Sequence, residues 1–571
     1  MSTLSRAPAN IAAALYESAR LQPEATAIVL AQGPNAAKQL KSETVSSEQA
    51  ALAAPITYVH HRFSELLAES EFLAAGLEKA GIRRGMRTVL MVPPSLEFFA
   101  LMYAMLKSGV VPVLIDPGMG LKNLKTCLEE AQPEAFIGVP KAHLARKLLG
   151  WAKDSLKIKI TVGGSLLWEG HSLKKLRAWG QNNPQEGLAS TRPEELAAIL
   201  FTSGSTGVPK GVVYSHGNFL AQIERIRETY AVEPGEVDLA TFPPFALFDP
   251  ALGMTSVIPL MDPTKPALVN PAAIFDAIER YQVTHMFGSP ALLNRISRAG
   301  EAQAVHLPSL RRILSAGAPV PWQTLERMKK LLPPEAEIYT PYGATECLPV
   351  ASIGASEILT ETQAKTREGA GVCIGKPVAG VEVVILPIDD QPISDWESCM
   401  PLPQGALGEI VVKGANVTSA YFNRESSTQL AKIQESNGSI RHRMGDLGYF
   451  DSQGRLWFCG RKSHRVESTE GPLYTIPCEA IFNTHPAVYR SALVGVGEAG
   501  QALPVVCVEL EKDFKGSAQQ VILELQDLAQ SQPHTQKIRH FLIHPALPVD
   551  IRHNSKIFRE KLAPWAAKEL Q

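Results

Sequence analysis

The sequence predicts an α/β protein, with a large N-terminal core of β-sheets flanked by helices and a smaller α+β unit after it. Three observations carry that reading. Helix-period and strand-period segments alternate from Phe63 to Val162, the mark of a layered core. A chain of 571 residues is longer than one ordinary hydrophobic core accommodates. From Ala492 onward, two strands and two helices can close a small core of their own.

The elements follow in order. Residues 9–22 read as an amphipathic helix and Ala25–Leu30 as a short strand. The polar stretch from Gly33 to Pro55, poor in aromatics, reads as a surface insertion. Phe63–Ala80 is helical, Thr88–Val92 a strand, Leu96–Lys107 a helix and Val111–Ile115 a strand. Leu121–Ala131 is helical, and Ala135–Gly138 and Ile158–Val162 are strands. Ser165–Pro193 is polar and reads as a loop-rich connection, and Phe219–Tyr230 as a helix. Thr241–Pro250 (TFPPFALFDP) is too rich in proline for regular helix. Ile313 and Leu314 end a strand at the turn Ser315–Pro319. Tyr449-Phe450 and Leu456–Phe458 flank the turn Asp451–Gly454 as a hairpin. Near the end, Ala492–Val496 and Val505–Leu510 are strands, while Ala518–Gln530 and Thr535–Ile543 read as helices.

Composition excludes several function classes. With 45% hydrophobic and 20% charged residues the chain sits in the soluble globular range. A net charge of −1 provides no global basic field for nucleic acid or an anionic membrane. Glu17 and Arg20 break the N-terminal apolar run, so no signal peptide is expected. The greasiest stretch, Phe98–Ile115, contains Lys107, Gly109 and Pro112, so no membrane span is expected either. Seven scattered cysteines, without a Cys-x-x-Cys pair, argue against disulfides and zinc and for a reducing cytoplasm.

The most informative stretch is FTSGSTGVPKGVVYSH, from Phe201 to His216. The apolar strand Ala197–Leu200 leads into Thr202, Ser203, Gly204, Ser205, Thr206 and Gly207, all Gly, Ser or Thr. Such a run can curl backbone N–H groups and hydroxyls around phosphate oxygens, because glycine tolerates positive φ and close approach. Lys210 adds a point charge at the end of the cradle. The Gly-x-x-Gly-x-x-Lys spacing differs from the Walker A pattern. Pro209 disfavours helical geometry at Val208, and Gly211–Tyr214 is strand-like. The motif therefore reads as a phosphate-gripping hairpin.

TSGSTGVPKG resembles the signature loop of the adenylate-forming superfamily, which includes acyl-CoA synthetases, peptide-synthetase adenylation domains and luciferases. The resemblance runs from about Ile56 to the end in five ordered blocks. Tyr339–Glu346 (YTPYGATE) is similar to the block that supplies an adenine-stacking aromatic, a phosphate contact and a Mg²⁺-holding carboxylate. It assigns these roles to Tyr342 beside Gly343, to Thr345 and to Glu346. The turn Gly317, Ala318, Pro319 is implied to pass along the adenine. Asp446 in HRMGDLG is implied to accept hydrogen bonds from both ribose hydroxyls, with Met444 where threonine is usual. Gly460–Val466 resembles the interdomain hinge, with Arg461 reaching ribose or phosphate; this implies domains 1–460 and 461–571, the second small and mobile. Lys556 matches the C-terminal catalytic lysine, although Asn554-Ser555 replaces the usual residues before it. Phe245, Phe248 and Met254 are candidates for the acyl-pocket wall.

The chemistry that the resemblance implies uses ATP and Mg²⁺: a carboxylate attacks the α-phosphorus and pyrophosphate leaves an acyl-AMP. Glu467–Tyr474 replaces the glycine-bearing turn that lines a thiol tunnel in many relatives. As a set, the unusual stretches are similar to the olefin β-lactone synthetases of bacterial long-chain hydrocarbon synthesis. That similarity implies a long-chain 2-alkyl-3-hydroxy acid as substrate and closure of a lactone by its own 3-hydroxyl. Asp249 is the candidate base, with an Asp-Pro turn as the plain alternative; His285 reads rather as a buried structural histidine. The alternative product is a long-chain acyl-CoA. The implied partners are a thiolase-like condensing enzyme, a ketone reductase and a β-lactone decarboxylase.

Overall fold

The computed structural model describes residues 9–32, 55–164, 170–184, 187–202, 209–549 and 557–571. Two seven-stranded, mostly parallel sheets form the N-terminal layers. The first runs His171–Ser172, Ile158–Thr161, Ala135–Gly138, Arg87–Met91, Val111–Leu114, Leu196–Thr202, Lys210–Ser215. Only its last pair is antiparallel, so Leu196–Thr202 and Lys210–Ser215 make the expected hairpin, with Thr202 opposite Lys210. The other pairs are parallel and covered on both faces, which is why Ala135–Gly138 (AFIG) is apolar throughout and wholly buried.

The second sheet runs Glu337–Tyr339, Arg312–Leu314, His285–Phe287, Val237–Ala240, Thr255–Ile258, Thr26–Gln32, Thr57–Arg62. Helix Leu96–Lys107 is buried along its length within the core that joins the two layers. Ser95 fixes its start by accepting a hydrogen bond from the Phe98 N–H at 3.3 Å. An eight-stranded, largely antiparallel sheet follows, from Tyr342–Ala344 to Leu456–Arg461 in sequence. The chain then builds a three-stranded sheet of Val488–Val496, Leu503–Leu510 and His540–Ile543, packed with helices Thr475–Phe482, Ala518–Gln530 and Arg559–Glu569. Its two buried clusters draw only on residues from Val466 onward. Among the described residues, no helix is long and apolar enough to cross a membrane.

Three local expectations are corrected. Thr535–Ile543 is not a helix: Thr535 ties back to the Ala529 carbonyl at 2.7 Å, and His540–Ile543 joins the sheet parallel to Val505–Val508. A strand of four residues shows no helical face, and its partner lies 35 positions earlier by the pairing of Val505 with His540. The loop-rich connection contains helix Leu173–Asn182, which buries Leu173, Leu176 and Gly180. Gly180 lies against the Phe72 carbonyl and Gly76 of the facing helix against Leu176, leaving no room for a Cβ at either glycine. Thr241–Pro250 does hold helix, as two single turns, Pro243–Ala246 and Asp249–Leu252, each with proline in its first turn, where no N–H is needed. The Gly33–Pro55 insertion falls almost wholly outside the described residues.

Candidate active site

The site forms where the hairpin, the antiparallel sheet and the strand ends of the parallel sheets meet. Lys210 opens the returning strand of the hairpin, and its Nζ lies 4.8 Å from the centre of the Tyr421 ring. Tyr421 is stitched to the same hairpin: it bridges Val212, and the Phe422 N–H donates to the Gly211 carbonyl at 2.7 Å. The Tyr421 hydroxyl donates to Glu346 Oε1 at 2.6 Å. Burial, reinforced by the Glu346 carboxylate, pushes this phenol well above its ordinary range, so it remains a neutral donor.

Thr345 and Glu346 are the two-residue turn between strands Tyr342–Ala344 and Cys347–Ser352. Gly343 is required there, since a Cβ would strike the Cys347 carbonyl. Backbone contacts hold the turn: the Tyr214 hydroxyl donates to the Thr345 carbonyl, and Thr418 N–H donates to the Glu346 carbonyl at 2.9 Å. Behind it the buried Lys432 ammonium donates to the Thr418 carbonyl. Burial pushes Lys432 down to about 8, with Glu346 pulling the other way.

Asp446 and Arg461 are cross-strand partners, and their Oδ1 and Nη1 atoms lie 3.0 Å apart. The Tyr342 hydroxyl donates to Asp446 Oδ2 at 2.6 Å, and Arg461 also donates to the Met444 carbonyl at 3.1 Å. The turn Gly317, Ala318, Pro319 leaves strand Arg312–Leu314 nearby, with Gly317 at φ +95°. On the other side Phe245 packs on Phe287 at 4.5 Å between ring centres, and Phe248 on Phe219 at 6.2 Å.

One continuous cavity of about 2770 Å³ brings together Lys210, Tyr342, Gly343, Thr345, Glu346, Asp446, Arg461, Gly317, Ala318, Pro319, Phe245 and Phe248. Thr202 meets the site through its backbone pairing with Lys210. Ser203, Gly204, Ser205, Thr206, Gly207 and Lys556 lie outside the described residues.

Two candidates stand behind the wall instead of lining it. Met254 is 0% exposed and packs in the core. Asp249 is 5% exposed; its Oδ2 accepts from Ser256 Oγ at 2.6 Å, and it pairs with buried Asp238. Burial and the Asp238 charge push the Asp249 carboxyl far above the carboxylate range. His285 Nδ1 lies 2.6 Å from Asp238 Oδ1, and burial pushes its imidazolium down to about 4, so it is the neutral structural histidine expected.

Tyr421, Tyr214 and Lys432 are not visible to sequence reasoning. Each acts across 75 or more residues or through a relay, and no local spacing flags them.

Comparison with known proteins places this geometry. A family model described as AMP-binding enzyme matches residues 41–422, well over half the chain. The chain is 51% identical over 565 residues to an olefin beta-lactone synthetase of Xanthomonas campestris, covering 98% of each. A protein of the same description from Stenotrophomonas maltophilia is 51% identical over 571 residues, covering 99% of each. The fold matches an amide bond synthetase from Marinactinospora thermotolerans with a TM-score of 0.76, at 21% identity over 97% of this chain and 99% of that one. A hairpin whose returning strand opens on Lys210, a carboxylate turn at Glu346 and the family match converge, and the chain belongs to the AMP-binding enzyme family.

Proposed function

We propose that this protein converts a long-chain 2-alkyl-3-hydroxy acid to a β-lactone through an acyl-adenylate, releasing AMP and pyrophosphate. The observation that carries the reading is full-length 51% identity to two olefin beta-lactone synthetases. The geometry supports its first half. Lys210, with Lys556 as a second cation, offsets charge on the phosphates while a substrate carboxylate oxygen attacks the α-phosphorus and pyrophosphate departs. Asp446, oriented by Tyr342 and Arg461, accepts from the ribose hydroxyls, and the Tyr342 ring offers adenine a flat face.

Glu346 is one carboxylate facing the cavity, and its Tyr421 donor fixes its orientation. That donor set fits Mg²⁺, which takes one or two carboxylates and fills its shell with phosphate oxygens and water. When bound there, the ion neutralises phosphate charge.

The second half needs no further substrate. The 3-hydroxyl oxygen attacks the acyl carbon, its proton leaves, and the bond to AMP breaks, closing a four-membered ring. The nucleophile is already tethered, so proximity supplies much of the rate. Asp249 enters as an anchor of the pocket segment, since its carboxyl faces Ser256 and Asp238. The domain boundary belongs at Gly460-Arg461, supported by buried clusters beyond it that draw on no earlier residue. The reading implies a cytoplasmic enzyme working beside a thiolase-like condensing enzyme, a ketone reductase and a β-lactone decarboxylase.

The test uses purified protein, a long-chain 2-alkyl-3-hydroxy acid, ATP and Mg²⁺ without CoA, with products read by NMR. A β-lactone with AMP and pyrophosphate is expected. Acyl-AMP that turns over only when CoA is added would overturn the reading in favour of an acyl-CoA ligase.

A further inference from the structure

We propose that the acyl end of the cavity has two arms, one on each face of the first parallel sheet, and that each takes one alkyl chain of the substrate. The inference rests on the lactone-forming reading, because only a 2-alkyl-3-hydroxy acid carries two long chains from adjacent carbons.

The sheet itself supplies the observation. Side chains alternate across a strand, so consecutive residues point to opposite faces. Leu90 and Leu114 belong to the core on the side of helix Leu96–Lys107, while Met91 and Ile115 pack with the separate core on the other side. All four line the same cavity. The cavity therefore wraps around the C-terminal ends of strands Arg87–Met91 and Val111–Leu114, where a parallel sheet opens to its ligands. Met102 and Phe248 wall the first arm, with Ala251 beside them. Leu124, Ala142 and Trp151 wall the second.

The chemistry agrees. Each methylene moved from water to an apolar wall is worth about fourfold in affinity. A single arm would leave the second chain in water and forfeit that factor at every carbon. Two arms also fix C2 and C3 from opposite sides, which holds the 3-hydroxyl against the acyl carbon.

The test narrows one arm at a time with Ala251→Phe and Ala142→Phe. Three acids are compared: both chains long, only the 2-alkyl chain long, and only the chain on C3 long, with methyl as the short substituent. Pyrophosphate release is the readout, so the result does not depend on ring closure. Each variant is expected to lower the long-to-methyl ratio of kcat/KM at least tenfold for one chain, and the two variants for different chains. Loss of the same chain's preference in both, or unchanged ratios in either, would overturn the proposal. Leu124→Phe and Met102→Phe provide the same comparison if the alanine replacements fail to fold. Chain-specific ratios in an enzyme that releases pyrophosphate but forms no lactone would leave the two arms standing and remove the lactone reading alone.

Discussion

Two sets of carboxylates in this chain share residue types and bond lengths and differ in what faces them. On the cavity side, Asp446 and Glu346 each accept from a tyrosine hydroxyl at 2.6 Å. Behind the wall that Phe245 and Phe248 form, Asp249 accepts from the Ser256 hydroxyl at the same 2.6 Å. Asp446 also meets Arg461, and Glu346 shares Tyr421 with Lys210, and all of these open onto the cavity. Asp249 meets a second carboxylate, Asp238, whose histidine neighbour is neutral. The first set faces cations and open space; in the second, burial and like charge favour the protonated carboxyl. Only in the first set do a cation and open space both face the carboxylate.

The sharpest break of that comparison is to remove charge from the open set. Lys210→Ala and Glu346→Ala should each lower ATP–pyrophosphate exchange by about 10²–10³-fold, the usual loss for a preorganised electrostatic partner. An unchanged exchange rate in either would detach that residue from the phosphates.

Next in size is a closed site that titrates. His216 Nδ1 accepts the Ile11 N–H at 3.3 Å, and burial pushes its imidazolium down to about 4 from 6.5. The unfolded chain therefore binds more protons between these values. The stability contributed by keeping His216 neutral is full above pH 6.5 and is lost as pH falls through 4, by roughly 3 kcal/mol at most. His216→Asn, which keeps an acceptor, should flatten this acid limb in urea unfolding at pH 7 and pH 5; an identical limb would contradict the assignment.

Asp446→Asn should raise KM for ATP by about ten- to a hundredfold, as loss of a charged hydrogen-bond acceptor costs about 1.5–3 kcal/mol. KM for the acid should move much less; equal changes in both would mean that Asp446 serves the fold and not the ribose. The smallest effect belongs to Asp249. Asp249→Asn should leave KM for ATP within about twofold, while Asp249→Ala lowers stability by about 1–3 kcal/mol through the orphaned Ser256 hydroxyl. A loss of exchange in Asp249→Asn as large as in Glu346→Ala would place Asp249 at the reacting atoms and erase the contrast.

What the sequence made legible was local. Helices Leu96–Lys107 and Leu121–Ala131 begin where expected because Ser95 caps the first and Gly120, at φ +84°, precedes the second. Tyr342, Glu346, Asp446 and Arg461 sit in contiguous blocks, and the fold brings these blocks to one cavity. Tyr421 was not legible, since its bond to Glu346 joins residues 75 apart and nothing near it in sequence anticipates the contact. Phe248 and Asp249 are adjacent, yet the helical turn Asp249–Leu252 sends one toward the cavity and the other into the core. Segment composition pointed to this stretch, but only the backbone decides which side chain faces the cavity. Helix Leu173–Asn182 was hidden for a similar reason: its buried face is short, Leu173, Leu176 and Gly180 in a polar segment, and its close approach to the facing helix depends on the distant Gly76.

The central claim is that the open set activates the substrate carboxylate and that the 3-hydroxyl then closes the ring. The most direct measurement gives the enzyme an acid labelled with ¹⁸O in both carboxyl oxygens, in unlabelled water without CoA, and weighs the products by mass spectrometry. Carboxylate attack on the α-phosphorus predicts AMP with one ¹⁸O and a lactone with one, in its carbonyl. Unlabelled AMP beside a lactone carrying two ¹⁸O atoms would mean that the hydroxyl is the activated group, and would contradict the account.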